Sequence, residues 1–313
     1  MPTQREVVPA VLAGERIDRA VSLLSGRPRS EAAELVAAGA VLVGGRVATD
    51  GSRRLREGEV IELDLPPVLP DAELEADPSV DPPVVAVDDQ VIVVDKPAGL
   101  VVHPGAGRDR GTLVQGLLAR YPDLRDAGRA AGADPSRPGI VHRLDKGTSG
   151  LMVVARTAAA YESLTAQLAA RQVERRYLAL VWGGLEGERG LIDAPLSRAP
   201  ADRTRIAVVA SGREARTGFE VVTRFTRPAP LTLVRCRLET GRTHQIRAHM
   251  AALGHPVVAD TRYGGRGIAG LGRPFLHAGH LAFVHPTTGL VCAYDSPLPS
   301  ELDAVLAGLA DDV

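Results

Sequence analysis

Gly139-Ile140-Val141-His142-Arg143-Leu144-Asp145-Lys146-Gly147-Thr148-Ser149-Gly150-Leu151-Met152-Val153-Val154-Ala155 is the densest stretch of the chain. A basic pair sits beside a lone carboxylate, small and hydroxyl residues follow, and an apolar run closes the segment. An apolar run bounded by turn residues reads as a buried strand. The pattern predicts Asp145 on a tight loop leading into a core strand, where a scaffold can hold a functional group rigidly. Taken alone, Asp-Lys-Gly is also ordinary turn chemistry. The rest of the chain has to decide between the two.

The chain has 313 residues, which suits one large and one small domain, and 45% of them are apolar, enough for a sizeable core. Aromatics make up only 3%, which argues against broad base stacking as a way of holding nucleic acid. The net charge of −1 hides an uneven distribution. Residues 67–90 and 301–313 are acidic without a single base, so residues 91–300 carry 28 basic against 17 acidic side chains. Such a surplus suits a polyanion, although a mixed solvated surface would look similar. Nearly all the bases are arginines; the two lysines, Lys96 and Lys146, both fall inside dense motifs. Cys236 and Cys292 lie in apolar runs and read as buried thiols, without a disulfide framework or a thiolate zinc site. No apolar leader and no membrane-length run is present, which places the protein in the cytoplasm and off the membrane.

Residues 14–64 read as a small unit. Ile17, Val21 and Leu24 share one helix face; Ser30 is placed to cap a second helix that ends at Gly39. Val41 to Val47 reads as a hairpin turning on Gly44-Gly45, and Val60 to Leu63 as a strand. Residues 65–83, rich in Pro and acids, predict an extended linker. Residues 84–313 form the second domain. Strand-like runs recur near 84–87, 91–94, 151–155, 177–182, 205–208, 218–222, 231–238, 276–284 and 291–294. Helices are expected near 112–120, 157–172, 243–252 and 301–309, and a polar loop over 123–138. Strands outnumber helices and do not alternate with them, which predicts an α+β fold with a mixed, largely antiparallel central sheet flanked by helices.

A second dense motif is Leu238-Glu239-Thr240-Gly241-Arg242-Thr243-His244-Gln245-Ile246-Arg247-Ala248-His249-Met250. Thr243 is expected to cap a helix on which His244 and Arg247, three apart, face one side. A metal site does not fit: His244 and His249 are five apart and point away from each other, and no thiolate or carboxylate cluster joins them. Tyr177 starts an apolar strand, and by itself reads as core. The loop from Gly254-His255-Pro256 to Asp260-Thr261-Arg262-Tyr263-Gly264 follows the Arg247 helix.

Two resemblances bear on these motifs. Arg16, Asp18, Arg29-Ser30, the Gly39-x-Val41-x-Val43-x-Gly45 pattern and Gly58-Glu59-x-Ile61 resemble the ribosomal-protein-S-four-type RNA-binding domain, with Gly44 where Asn is usual. The resemblance implies that Arg16, Arg29 and Arg46, with Ser30 beside them, meet RNA backbone. The segment His142 to Leu151, with Gly241-Arg242-Thr243-His244-Gln245-Ile246-Arg247 and Asp95-Lys96-Pro97-Ala98-Gly99, is similar to the RluA-type pseudouridine synthase family. Val102 to Gly107 and Leu196-Ser197-Arg198 resemble its RluD-like subgroup, which acts on large-subunit ribosomal RNA.

The second resemblance implies Asp145 as catalytic carboxylate, Tyr177 stacked on the target base and able to take a proton, and Arg247 paired with Asp145. It implies Arg143 as the residue that fills the RNA helix when the nucleotide flips out. His142, Lys96, Arg242 and His244 join Arg143 as candidate RNA contacts. Gly147, in place of an acid, and Ala259, in place of a Gly, depart from the family pattern. The implied reaction, isomerisation of uridine to pseudouridine, has no redox change and no leaving group, so no cofactor and no metal is expected. A monomer acting on ribosomal RNA is the expected state. Two rivals remain open: a base-releasing glycosidase, which would ordinarily need a second carboxylate, and a non-catalytic ribosome-assembly protein.

Overall fold

A computed structural model describes residues 3–26, 29–64, 74–105, 110–129, 134–199, 202 and 204–311. The chain divides into two compact units, Met1–Glu73 and Leu74–Val313.

The first unit runs β1 (Thr3–Val7), α1 (Ile17–Ser25), α2 (Arg29–Ala37), β2 (Val41–Val43), β3 (Arg46–Val47) and β4 (Val60–Asp64). Its sheet has the order β1-β4-β2-β3, all antiparallel. Ile17, Ala20 and Val21 of α1 meet Ala32, Leu35 and Val36 of α2 and the inward residues Val41, Val43, Ile61 and Leu63. Each of the Val, Leu and Ile side chains stabilises by about 1.5–3 kcal/mol when fully buried. The hairpin turns on Gly44 and Gly45, both at positive φ (60° and 74°). Asn tolerates that conformation almost as Gly does, which accounts for Gly44 standing at an Asn position. Two expectations change. β1 precedes the first helix and pairs with β4, and α2 begins at Arg29, one residue before Ser30.

The second unit adds β5 (Val84–Val87), β6 (Val91–Lys96), α3 (Leu113–Arg120), α4 (Leu124–Arg129), β7 (Ser149–Ala155), α5 (Ala158–Ala169) and β8 (Glu174–Trp182). There follow β9 (Arg189–Asp193), β10 (Leu196–Arg198), β11 (Ile206–Val208), β12 (Arg216–Arg227), β13 (Leu231–Leu238) and α6 (Gln245–Ala252). The unit closes with β14 (Leu276–Val284), β15 (Val291–Asp295), α7 (Ser300–Ala307) and β16 (Ala310–Asp311). The large sheet runs β16-β12-β13-β8-β14-β7-β6-β5, with β9 beside β12 and β15 beside β14. Among the described strands only β7 and β14 pair in parallel, so the sheet is mixed and largely antiparallel, as the sequence predicts.

All seven residues of β7 are buried. Ile92, Val94, Met152 and Val154 pack on α3 through Leu113 and Leu117. Val91, Val93, Leu151 and Val153 pack on Ala160 and Leu164 of α5. A strand covered on both faces must be apolar throughout, which is why it reads as a continuous run. Gly150 is required here: at φ 117° a Cβ would lie 2.6 Å from the Ala278 nitrogen of β14.

Residues 74–83 belong to this unit and not to a linker. Leu74 packs on the main core, the Asp77 N–H donates to the Gln115 carbonyl at 3.0 Å, and a Cβ at Gly116 would strike Val80. Apolar side chains between the prolines find a notch on α3, which composition alone conceals. Residues 65–73 of the expected linker lie outside the described residues. The expected loop over 123–138 contains α4, with Leu124 and Ala127 buried.

Candidate active site

The loop between α4 and β7 is held through its backbone. The Thr148 N–H closes a turn on the Asp145 carbonyl (3.0 Å), and the Gly99 N–H donates to the Lys146 carbonyl (2.7 Å). Arg273 donates to the Gly147 carbonyl (3.2 Å), while Leu144 beneath is buried. Asp145 is thereby fixed with its side chain 17% exposed.

Arg247, on the first turn of α6, meets it. Its Nε and NH2 hold the two oxygens of Asp260 at 2.6 and 2.8 Å, and NH1 donates to Asp145 Oδ2 at 3.0 Å. The two carboxylates outweigh burial and raise the Arg247 pKa. The planar fork thus has one edge locked and one N–H aimed at Asp145, an arrangement that lysine could not reproduce. His244 Nε2 lies 3.9 Å from the same Oδ2. Its Nδ1 pairs with the Tyr263 hydroxyl at 2.9 Å, and that hydroxyl accepts the Ile206 N–H at 3.0 Å. Burial lowers the His244 pKa, with Asp145 opposing.

His244, at φ 54°, is itself the residue preceding α6, and Thr243 does not cap it. Gln245 organises the turn instead: its Oε1 accepts from Thr240 Oγ1 (2.7 Å) and the Arg242 N–H (3.0 Å). Its Nε2 donates to the Arg216 carbonyl and to Thr217 Oγ1, both at 2.9 Å.

Tyr177 is buried, and burial pushes its phenol up to about 12, with Arg175 opposing and Asp145 adding. At neutral pH it offers a flat face and an O–H donor, and is a poor proton acceptor. Arg143 is exposed, and its NH1 lies 3.1 Å from His103 Nε2. His103 Nδ1 in turn meets the Pro104 carbonyl at 2.8 Å. Arg242 donates to the Glu214 carbonyl at 3.0 Å. Asp145, Tyr177, Arg247, His244, Arg242, Arg143 and His142 all border one cavity of about 770 Å³. Seven arginines border it against three carboxylates, a wall suited to a polyanion.

Other sequence candidates lie elsewhere or act otherwise. Lys96 is fully buried, and its Nζ donates to the Pro97 and Leu100 carbonyls, both at 2.9 Å. Burial brings its pKa to about 7, with Asp145 opposing. It braces the turn that carries Gly99 and cannot touch an RNA backbone from there. His142 Nε2 accepts the Val153 N–H at 3.1 Å, and burial lowers its pKa to about 3. It is a neutral brace tying the loop to β7 and not a cationic RNA contact. Arg16 in the first unit makes a fork on Asp18 (3.0 and 2.9 Å), and Arg46 is exposed. The side chains of Arg29 and Ser30 lie outside the described residues.

This geometry can be set beside known proteins. A model of the family described as RNA pseudouridylate synthase matches residues 90–252, and one described as the S4 domain matches residues 15–61. The chain belongs to the RNA pseudouridine synthase family. A Chloroflexus aurantiacus protein named an uncharacterized RNA pseudouridine synthase is 46% identical over 97% of this chain and 93% of its own length. A Xanthomonas campestris protein, named ribosomal large subunit pseudouridine synthase D, is 42% identical over 99% of this chain and 93% of its own. Among solved structures, human RNA pseudouridylate synthase domain containing 1 aligns with a TM-score of 0.56 at 28% identity, over 74% of this chain and 89% of that one. The pseudouridine synthase fold here therefore carries an N-terminal S4 RNA-binding domain.

Both departures from the family pattern have a local account. Ala259 sits at φ 60°, in the left-handed region that favours Gly. A Cβ at Gly147 would come within 3.0 Å of Pro274 Cδ, so an acid there would need that proline to move. Three residues of this pseudouridine synthase escaped the sequence reading: Asp260, Tyr263 and Arg175. All lie in segments noted for other members, but nothing in their spacing marks Asp260 as the lock on Arg247, 13 residues earlier.

Proposed function

We propose that this protein isomerises uridine to pseudouridine in large-subunit ribosomal RNA, with Asp145 as the carboxylate acting at the ribose. The observation that carries this reading is the Asp260–Arg247–Asp145 chain beside Tyr177 in one arginine-walled cavity. Arg247 supplies a fixed positive charge on one oxygen of Asp145 and orients that carboxylate for attack on, or stabilisation of, the sugar C1′. Tyr177 gives the extruded uracil a flat surface in a site that excludes water. Extrusion costs a few kcal/mol; Arg143, exposed at the mouth, offsets part of it by filling the vacated stack. The S4 domain and the basic cavity wall add backbone affinity. The relatives named ribosomal large subunit pseudouridine synthase D favour that RNA as substrate. The protein is taken to act as a cytoplasmic monomer.

The test is pseudouridine mapping in large-subunit ribosomal RNA treated with purified protein. Specific uridines should convert with no change in RNA mass; a mass loss would indicate base release by a glycosidase. Asp145→Asn should abolish conversion while RNA binding persists. If that variant still isomerised uridine, the role given to Asp145 would be wrong.

A further inference from the structure

Arg175 lies in β8, two residues before Tyr177, and is only 6% exposed. Its side chain borders the same cavity as Asp145 and Tyr177. Its Nε is buried without a hydrogen-bond partner, and NH2 reaches the Leu238 carbonyl only at 3.4 Å. NH1 lies against Gly241, where an added Cβ would sit 2.8 Å from it. Its neighbours on the wall differ: Arg247 holds two carboxylates, and Arg171 pairs with Glu214 at 2.6 Å. Among the described residues no carboxylate pairs with Arg175. Buried charges are ordinarily paired, because an unpaired one costs folding free energy. Burial accordingly lowers the Arg175 pKa, with the nearby Tyr177 opposing.

We propose that Arg175 is a catalytic residue that stabilises the negative charge on uracil between the breaking of its bond to ribose and the making of the new one. The inference rests on the pseudouridine synthase reading and deepens it. When C1′–N1 breaks, the electron pair leaves with the base and spreads over N1, O2 and O4, while C1′ is met by the Asp145 carboxylate. The base turns and its C5 bonds to C1′ as the Asp145 oxygen leaves with its electron pair, regenerating the carboxylate; the C5 proton departs and N1 takes one up, so atoms and charge balance. Throughout that turn the detached anion needs a cation that does not turn with it. A guanidinium fixed in a strand and desolvated beforehand costs no reorganisation at that moment. The strand's phosphates are less suited to it, since so buried a group is reached by the edge of an inserted base and not by a backbone lying across the mouth.

The experiment compares the full-length wild type with Arg175→Met and Arg175→Lys on RNA containing the target uridine. Turnover, KM, RNA affinity and thermal midpoint are measured together. Arg175→Met should lower kcat on the order of 100-fold, with KM and RNA affinity little changed. Its midpoint should hold or rise, because an unpaired buried cation gives way to an apolar chain. Arg175→Lys should recover part of kcat. With 5-fluorouridine at the target, whose base is the better leaving anion, the single-turnover gap between wild type and Arg175→Met in loss of parent nucleoside should narrow. Unchanged kcat, a loss confined to KM and RNA affinity, a lowered midpoint with lost activity, or an equal gap for both substrates would each overturn the proposal. A wild type without isomerase activity would instead overturn the reading beneath it.

Discussion

The same guanidinium–carboxylate fork occurs in both units, with opposite consequences. Arg16 grips Asp18 through Nε and NH2 at 3.0 and 2.9 Å, and Arg247 grips Asp260 through the same atoms at 2.6 and 2.8 Å. The Arg16 side chain is 42% exposed over an Asp18 that is 8% exposed, whereas those of Arg247 and Asp260 are 9% and 1% exposed. Water reaches the guanidinium of the first fork and screens the pair from that side, so its loss is the cheaper of the two. The second has exchanged hydration for its partner, so removing one half strands the other. Exposure, and not bonding geometry, decides which fork the fold depends on.

Breaking the buried fork should have the largest effect. Asp260→Ala should destabilise the protein by about 3–5 kcal/mol, read from urea unfolding. It should also depress turnover more than RNA affinity, since Arg247 loses its orientation toward Asp145. A loss under 1 kcal/mol would place this fork with the exposed kind.

Lys96 extends the comparison to a buried cation held by carbonyls alone. Its folded pKa of about 7 lies below the ordinary 10.5. Between these values the unfolded chain binds the extra proton, so stability rises with pH. The contribution is complete above 10.5 and is lost as pH falls through about 7. Lys96→Met should remove that rise from the stability–pH curve; a wild-type curve parallel to that of the variant would contradict the assignment.

Ala259 adjoins the buried fork in a left-handed conformation. Ala259→Gly should stabilise by about 0.5–1 kcal/mol, seen as a raised thermal midpoint with turnover retained. The smallest effect belongs to the exposed fork. Arg16→Ala should move the midpoint far less than Asp260→Ala does, and should lower the salt slope of RNA binding by about one if Arg16 meets a phosphate.

Much of this was legible in the residues. β7 announced itself as an unbroken apolar run because it is buried on both faces, and the Gly44-Gly45 turn because its dihedrals demand such residues. The pairing of Asp145 with Arg247, about a hundred residues apart, came through family resemblance, because no local pattern encodes so distant a contact. Asp260 stayed hidden for a related reason: its role depends on how a loop folds back on α6. Lys96 was misread because a basic side chain in a dense motif suggests an anion, while its actual partners are backbone carbonyls; His142, which borders the cavity, likewise spends one ring nitrogen on a backbone N–H. Residues 74–83 were misread because Pro and acid content masks the packing of Leu74 and Val80.

The parallel pairing of β7 with β14 joins Ser149 to His277, across 128 residues, through a 3.0 Å contact between their side chains. A strand supplied so late means that the Asp145 loop lacks one of its flanking walls during most of translation. Contacts of such long range are slow to form and leave edges open in the meantime. The nascent chain would therefore emerge with its S4 domain already able to fold, and would become competent for chemistry only once β14 is free to dock.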